Sequence, residues 1–340
     1  MTDPHASTVS IVLPTLGDAQ RLRVSLPGAL AAIESRGFDP DEILVVDDSG
    51  AERAATVVPE ILAEIDSPRS NSVHVLTTSV NSGFAASVLL GAQKARGSLL
   101  FVLQDDVELG AGALGSLASA MKRDDVFAAG PRIELAAQVR PFASTAEPEA
   151  GAGRDADQYA APEVRIVDDR LEVRELAADV PKGDVDPVPV TFVPATAVML
   201  RRKSFVEQGG FDSLLAPFSW EDVDLGLSAR RRGERVVRVP SAAVLHHAHL
   251  PSIWDHVPDG LARAVTERNR LLTRWKHLAT RAEATEHLVS LWRGVLEAGL
   301  AGDRETLASV CLAFERLNEV TASRANMQGA SRELSEVLGQ

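Results

Sequence analysis

Short apolar runs that alternate with helix-like segments most constrain the fold of the N-terminal part of this chain. The runs are VSIVLPT (9–15), EILVVDD (42–48), VHVLTT (73–78) and LLFVLQDD (99–106). Each is rich in aliphatic and β-branched residues and ends at polar or turn-forming residues, which is typical of buried strands. Strands that alternate with helices predict βαβ units and a mainly parallel central sheet flanked by helices, an α/β fold.

Two of these predicted strands end in a pair of acids. Asp47 and Asp48 follow ILVV, and Asp105 and Asp106 follow LLFVLQ. Ligands of parallel α/β sheets bind beyond the carboxyl ends of the strands, where both pairs fall. The first pair either accepts hydrogen bonds from a nucleotide base or ribose or supports a turn. The second pair is suited to a divalent cation that bridges to a diphosphate, because hard cations prefer carboxylate oxygens.

A third acidic site lies downstream, in WEDVD at residues 220–224. If a helix begins here, Asp222 and Asp224 face different directions, since residues two apart do not share a helix face. One can then enter a cleft while the other caps the helix or pairs with Arg230 to Arg232. A helix of solvated charges is the alternative.

Three histidines follow the apolar run AAVL: His246, His247 and His249. A histidine at a strand end is commonly a satisfied rim residue. Three within four residues, in a chain with an acidic strand end, also suit a metal held by carboxylate, imidazole and substrate phosphate, for which Mn²⁺ or Mg²⁺ is appropriate.

The rest of the chain divides into an insert and a helical tail. Residues from about 141 to 189 are rich in Ala, Glu, Asp, Pro and Gly, with a hairpin predicted in VRIVDDRLEVREL (164–176), and form either a lid or a solvated excursion. We predict one domain over residues 1–255 and a C-terminal helical extension over 256–340. An apolar stripe on that extension would pack on the body or on a second subunit, as in a homodimer. The stripe consists of Leu307, Val310, Cys311, Phe314 and Leu317.

Composition excludes several classes of partner and location. A net charge of −13 argues against nucleic acid, whose binding draws on clustered basic residues. Cys311 is the sole cysteine, so the sequence has no disulfide framework, and we expect it to be a buried apolar residue. The chain shows neither a secretion signal nor an apolar run of the ~20 residues that a membrane span needs. We therefore expect a cytoplasmic protein, with peripheral contact at the inner face of the membrane left open.

Six segments occur in an order that resembles the family 2 inverting glycosyltransferases of GT-A fold. They are VSIVLPT, ILVVDDSG, NSGFAAS, GSLLFVLQDDVEL, GGFDSLLAPFSWEDVDLGLSARRRG and VPSAAVLHH. The likeness spans roughly residues 8–278 without the insert and is greatest to rhamnosyl- and galactofuranosyl-transferring members. It implies transfer from a dTDP- or UDP-linked sugar to a hydroxyl of a glycan or lipid-linked acceptor, in cell-envelope polysaccharide synthesis, with Mn²⁺ or Mg²⁺.

The resemblance also implies roles for individual residues. Asp106 and His246 would bind the metal, with His247 as the alternative, and Gln104 replaces the first acid of the DxD motif. Asp222 would be the general base, and Glu221 would contact hydroxyls of the acceptor or the sugar. Apart from the resemblance, Trp220 offers an apolar face to a sugar ring or a lipid-linked acceptor, or it is a core tryptophan beside the site. Donor contacts would come from Pro14, Thr15, Asp47, Asp48, Asn81, Gly83 and Asp105.

Three further points stay open at this level. Arg268, in RNRLL, would reach a phosphate or form a structural salt bridge. A sugar nucleotidyltransferase would carry a glycine- and lysine-rich loop after the first strand, where this chain has only Gly17. An inactive GT-A-like scaffold or binding protein is the other rival, and the joint presence of Asp106, Asp222 and His246 argues against it.

Overall fold

A parallel four-stranded unit forms the N-terminal half of the sheet. The computed structural model describes residues 7–38, 41–136, 161–176, 186–248, 250, 257–327, 329 and 332–339. The strands are β1 (Val9–Thr15), β2 (Glu42–Asp47), β3 (Val73–Thr77) and β4 (Leu99–Leu103), in the spatial order β3-β2-β1-β4 and parallel throughout. Helices α1 (Ala19–Arg36), α2 (Arg53–Ile65) and α3 (Phe84–Lys94) connect them. The predicted βαβ units are confirmed.

The register of these strands brings their carboxyl ends to one edge of the sheet. Thr15 pairs with Asp47, which in turn pairs with Thr77. Strands β1, β2 and β4 are buried along their whole length, which explains their continuous apolar runs. Polar side chains at residues 15, 47 and beyond 103 therefore meet above the core.

The second half of the sheet is mixed. Its elements are β5 (Val107–Leu109), α4 (Ala113–Ala120), β6 (Val126–Leu135), β9 (Val188–Pro189), β10 (Ala197–Arg201), α5 (Arg202–Glu207), α6 (Glu221–Arg231) and β11 (Arg235–His246). Strand β10 lies between β4 and β6 and runs antiparallel to both. Strand β11 runs parallel to β6 and antiparallel to β5 and β9. The parallel prediction thus holds for the first four strands, within a mixed sheet.

The run VVRVPSAAVLHHAH (236–249) predicts two short strands, but the structure has the single strand β11 through most of this run. The strand is continuous, but its register against β6 shifts between Val239 and Ala243. Pro240 lies at this irregularity, which is where a residue without an amide hydrogen is tolerated in a sheet. The bend directs the end of β11 toward β5, where His246 pairs with Val107.

The hairpin predicted within the insert is confirmed. It consists of β7 (Ala161–Val167) and β8 (Arg170–Leu176), joined by Asp168 and Asp169, which both have positive φ. Val164 and Leu171 are buried in a cluster that includes Val223 and Leu227 of α6. The hairpin therefore packs on the helix that begins at Glu221. Residues 141–160 and 177–185 of the predicted insert lie outside the described residues.

The C-terminal part is helical, as predicted. Its helices are α7 (Asp259–His277), α8 (Arg281–Ala301), α9 (Arg304–Glu315), α10 (Leu317–Asn326) and α11 (Leu334–Leu338). Helix α11 is attached to α6, because Arg230 Nη2 donates to Val337 O at 2.7 Å and Arg231 Nε donates to Arg332 O at 3.0 Å. In the described part of the chain, no helix combines the length and hydropathy needed to cross a bilayer.

The face of α9 that is buried differs from the apolar stripe that the sequence predicts. The buried residues are Ser309, Val310 and Ala313, whereas Cys311 is exposed. The expectation of a buried cysteine is therefore wrong. Small side chains at 309 and 313 permit close packing of α9 on its neighbours, and this places position 311 outward. The homodimer and the domain boundary at 255/256 stay predictions.

Candidate active site

Arg21 of α1 lies between the two acids that follow β4. Its Nε donates to Asp105 Oδ1 at 2.7 Å, and its Nη2 lies 3.1 Å from Asp106 Oδ2. Thr15 Oγ1 donates to Asp105 Oδ2 at 2.7 Å. A cation from the first helix therefore offsets part of the charge of these two adjacent carboxylates. The sequence pattern does not identify Arg21 as a site residue. Its only distinguishing feature is a basic side chain in the first turn of α1, the helix that follows β1.

The two acids differ in their affinity for a proton. Burial raises the pKa of Asp105 against the opposing effects of Arg21 and Thr15. Burial also acts to raise the pKa of Asp106, but His246 and Arg21 outweigh it and the pKa is lowered. Negative charge is therefore held preferentially on Asp106.

His246 and His247 have different partners. His246 Nε2 lies 3.3 Å from Asp106 Oδ2, whereas His247 Nε2 lies 3.3 Å from Glu108 Oε2. Successive strand residues point to opposite faces, so this separation follows from the end of β11. The backbone amide of His247 also donates to Asp106 O at 2.9 Å, which fixes the two segments together. His249 lies outside the described residues.

Asp106 and His246 form a donor set that fits a hard divalent cation only in part. Asp106 Oδ1 is buried and has no hydrogen-bond partner among the described residues. Within those residues, no group of three or more His, Cys, Asp or Glu side chains could hold an ion. One carboxylate oxygen and one imidazole leave most coordination positions to substrate or water, which suits an ion that bridges to a diphosphate.

Asp47 and Asp48 support the turns beside the site. Asp47 accepts from the amides of Ser49 at 2.9 Å and Ala54 at 2.7 Å. Asp48 accepts from Thr78 Oγ1 at 2.8 Å and from the amides of Ser82 at 2.8 Å and Gly83 at 2.7 Å. The turn-supporting alternative is therefore what the described contacts display. Contacts of either acid to a base or ribose stay predictions.

The turn that Asp48 holds is the one containing Asn81 and Gly83. Asn81 Oδ1 accepts from the Gly83 amide at 3.1 Å, and Gly83 has φ of 87° at the start of α3. That backbone conformation favours glycine. Pro14 is buried in β1, and its contact to a nucleotide stays a prediction.

Glu221 and Asp222 begin α6. Asp222 Oδ2 accepts from the Ala195 amide at 3.2 Å, and its Oδ1 accepts from the Val223 amide at 2.8 Å. Burial and the neighbouring Asp222 raise the pKa of Glu221 to about 8, and burial raises the pKa of Asp222 as well. Glu221 Oε2 is buried without a hydrogen-bond partner in the described ranges. The pair therefore retains a proton near neutral pH.

A short backbone connection links this pair to the acids after β4. Ala195, which donates to Asp222, precedes Thr196, whose carbonyl accepts from the Gln104 amide at 3.0 Å. Gln104 is the residue before Asp105. The acids of α6, the acids after β4 and His246 are thus joined through hydrogen bonds at one edge of the sheet.

Asp224 does not pair with Arg230 to Arg232, so that alternative is wrong. It accepts from Lys276 Nζ at 2.6 Å and lies 2.9 Å from His277 Nε2, both on α7. Burial acts to raise the pKa of Asp224, but Lys276 and His277 lower it to about 2. Asp224 is therefore a buried anion that is paired with α7.

Trp220 directly precedes α6, and Arg268 contacts the loop before it. Trp220 is partly buried against two apolar clusters, one around Phe192 and one around Leu272. Arg268 Nη2 donates to Ala216 O at 2.5 Å, and its Nε donates to Asn269 Oδ1 at 2.9 Å. These contacts involve a carbonyl and a side-chain amide and no carboxylate, so the described contacts of Arg268 do not display the salt-bridge alternative. Contact of Arg268 with a phosphate stays a prediction. Acceptor contact by Trp220 stays a prediction.

The mixed sheet, with acids at the ends of β2 and β4 and at the start of α6, defines a GT-A-like α/β protein. The family described as "Glycosyl transferase family 2" matches residues 10–205, and the chain belongs to this family. The match includes Asp105 and Asp106 but ends before Glu221, Asp222 and His246. Comparison with curated proteins gave no match.

Solved structures of glycosyltransferases resemble this fold. One is the crystal structure of GalNAc-T7 with UDP, GalNAc and Mn²⁺, at 19% identity and a TM-score of 0.56, covering 80% of this chain and 48% of that one. The chain thus corresponds to about half of GalNAc-T7. Another is the mannosyltransferase PcManGT from Pyrobaculum calidifontis in complex with GDP-Man and Mn²⁺, at 14% identity and a TM-score of 0.48, covering 96% and 86%.

Proposed function

We propose that this protein is a metal-dependent inverting glycosyltransferase that moves a sugar from a nucleoside-diphosphate donor to an acceptor hydroxyl. The observation that carries the proposal is a short connection between the acids of α6 and the acids after β4. The Ala195 amide donates to Asp222, and the carbonyl of the next residue, Thr196, accepts from the Gln104 amide, directly before Asp105. This connection brings a candidate base and a candidate diphosphate site to one edge of the sheet. Membership of glycosyl transferase family 2 supports the reaction class.

Asp106 and His246 would hold Mn²⁺ or Mg²⁺. The buried Oδ1 of Asp106, which has no hydrogen-bond partner in the described part, offers a hard oxygen, and the imidazole of His246 lies beside the same carboxylate. When bound, the ion would supply Lewis-acid neutralisation of charge on the leaving diphosphate. The Mn²⁺ and UDP in the GalNAc-T7 structure support this choice of cofactor and donor class.

Asp222 would act as the general base. A carboxylate within ~3 Å of the acceptor hydroxyl can take its proton while the new glycosidic bond forms. Attack from the face opposite the leaving diphosphate inverts the anomeric centre, so no covalent enzyme intermediate is needed. The raised pKa of Glu221 keeps a proton on that neighbour, which lets it donate a hydrogen bond to a sugar or acceptor hydroxyl.

The substrates are proposed at the level of class. The donor would be a dTDP- or UDP-linked hexose, with rhamnose and galactofuranose first to be tested. Donor contacts would come from the strand ends that carry Thr15 and Asp105 and from the turn held by Asp48. The acceptor would be a glycan or lipid-linked glycan of the cell envelope, met in the cytoplasm or at the inner face of the membrane, with Trp220 beside it.

A donor panel with matched variants tests the proposal. Thermal stabilisation by each nucleotide sugar is measured with Mn²⁺, with Mg²⁺ and with EDTA, and nucleoside diphosphate release is followed with candidate acceptors. Asp222→Asn should lose turnover by about 10²- to 10⁴-fold and keep metal-dependent donor binding. Asp303→Asn, at the exposed start of α9, is the matched control. Normal turnover by Asp222→Asn would remove the assigned base, and absence of any bound or consumed donor in the wild type would overturn the function.

A further inference from the structure

One buried side-chain amide holds the loop that precedes Glu221. Asn269 Nδ2 lies 2.5 Å from Leu215 O, 2.7 Å from Phe218 O and 2.9 Å from Ser219 O. Asn269 is fully buried, with 0% of its surface exposed. An amide nitrogen has two hydrogens, so it shares them among these three carbonyls. Loop carbonyls that face the interior would otherwise lack donors.

Arg268 fixes the orientation of that amide. Its Nε and Nη2 donate to Asn269 Oδ1 at 2.9 and 2.8 Å. A guanidinium group can only donate, so the amide oxygen must face Arg268 and the amide nitrogen must face the loop. Arg268 Nη2 also donates to Ala216 O at 2.5 Å. Together the two side chains serve four carbonyls of the loop.

The loop needs such support because its backbone is unfavourable. Ser219 has φ of 78° and Trp220 has φ of 73°, both in the left-handed region that residues with side chains seldom adopt. The carbonyl of Ser219 is one that Asn269 binds. The carbonyl of Trp220 accepts from the Asp224 amide at 2.9 Å and so belongs to the first turn of α6. The strained residues therefore set the direction in which Glu221 and Asp222 leave the backbone.

Helix α7 also binds both flanks of this loop. Lys276 Nζ donates to Asp212 Oδ2 at 2.7 Å before the loop and to Asp224 Oδ2 at 2.6 Å after it. The ends of the loop are thus fixed by Lys276, and its middle is fixed by Asn269. By contrast, Asp105, Asp106 and His246 are fixed by β1, α1, β4 and β11, which Asn269 does not touch among the described contacts.

We propose that Asn269 is a positioning residue for sugar transfer, which acts by holding the backbone that aims Glu221 and Asp222. The inference rests on the proposed function. Asn269 would affect activation of the acceptor, because it positions the base Asp222, and it would not affect binding of the donor or the metal. Loss of its N–H donors should therefore lower kcat and leave the donor KM unchanged.

Asn269→Asp is the sharpest test, because it keeps the size of the side chain and its pairing with Arg268 but removes both N–H donors. The matched control is Asn326→Asp, the same change at an exposed position of α10. We expect kcat to fall at least about 30-fold, the donor KM and the Mn²⁺-dependent binding of UDP to stay within about twofold, and the pH-rate profile to shift. Amide exchange in residues 212–224 should rise only in Asn269→Asp.

Arg268→Lys provides a second variant if Asn269→Asp does not fold. Lysine keeps the charge but lacks the planar fork that orients the amide, so an intermediate loss of kcat with the same unchanged donor KM is expected. A folded variant with wild-type kcat would overturn the inference, as would parallel losses of kcat and donor binding without faster exchange in 212–224. Failure of the proposed function would give a different result, because the wild type would then transfer no sugar. Amide hydrogen exchange in residues 212–224 would still show whether Asn269 holds the loop.

Discussion

The Nε2 atom of His246 lies 3.3 Å from the Oδ2 atom of Asp106, although the two residues are 140 positions apart. The contact depends on the antiparallel pairing of the end of β11 with β5, which follows Asp106 directly. It separates His246 from His247, whose imidazole lies beside Glu108.

This contact predicts that His246→Ala, and not His247→Ala, weakens the metal site. In the presence of Mn²⁺, the affinity for UDP should fall at least about tenfold in His246→Ala, because imidazole is a good ligand for such ions. Titration calorimetry at several Mn²⁺ concentrations measures it. An equal loss in the two alanine variants would contradict the assignment of His246.

Arg21 offers a second test, because it neutralises two buried carboxylates. Arg21→Met should lower the free energy of unfolding by about 2–3 kcal/mol, since removal of one partner leaves buried charge uncompensated. Mn²⁺ should then raise the melting temperature more in the variant than in the wild type, because the ion replaces the missing cation.

The control for Arg21 lies two residues further along α1. Arg23 pairs with Glu64 at the exposed surface, so Arg23→Met should leave the free energy of unfolding nearly unchanged. Chemical denaturation with and without Mn²⁺ compares the two variants. If Mn²⁺ stabilised Arg21→Met no more than the wild type, the ion would not bind where Arg21 supplies charge.

The raised pKa of Glu221 predicts that the free energy of unfolding depends on pH. Its pKa is raised to about 8 in the folded protein from an ordinary 4.5, so the native state binds more protons than the unfolded state between these values. Stability from this group is complete below pH 4.5 and is lost as the pH rises through 8. Glu221→Gln stays neutral, so its free energy of unfolding should gain about 1–2 kcal/mol relative to wild type between pH 5 and pH 8.5, after discounting for partial exposure. Denaturant titration at both pH values measures this gain, and a constant difference would contradict the raised pKa.

Asp224 should be more important for stability than an exposed acid. Asp224→Asn should lower the free energy of unfolding by about 3 kcal/mol at pH 7. The buried Lys276 and His277 would then face a neutral amide in place of the carboxylate that offsets their charge. Since the pKa of Asp224 is lowered to about 2, this stability is present above the ordinary pKa of an aspartate and is lost only as the pH falls through 2. Asp125→Asn, in an exposed pair with Arg123, should change the denaturation midpoint little. Equal midpoints for both variants would exclude a buried ion-pair role.

The sequence predicts the strand ends well because the physics there is local. Continuous aliphatic runs identify buried strands, and polar residues must appear where those runs leave the core. That is why the pattern alone predicts that Asp47, Asp48, Asp105 and Asp106 lie at one edge of the sheet. The hairpin at 164–176 was predictable for the same reason, since its two runs flank a turn at Asp168 and Asp169.

Contacts between distant segments could not be predicted in this way. A basic residue inside a helix has no pattern that marks it as the partner of acids 84 positions away, so Arg21 was missed. Asn269 is equally inconspicuous, because its role depends on the packing of α7 under a loop some 50 residues earlier. The antiparallel position of β10 and the outward direction of Cys311 also depend on packing that periodicity does not fix.

The attachment of α11 to α6 has a practical consequence. Arg230 and Arg231 hold the carbonyls of Val337 and Arg332, so the last helix of the chain is tied to the helix that opens with Glu221. An affinity handle or reporter fused at residue 340 would load the helix that begins with Glu221 and Asp222, the acids proposed for catalysis. Purification and surface immobilisation are better done through the opposite terminus.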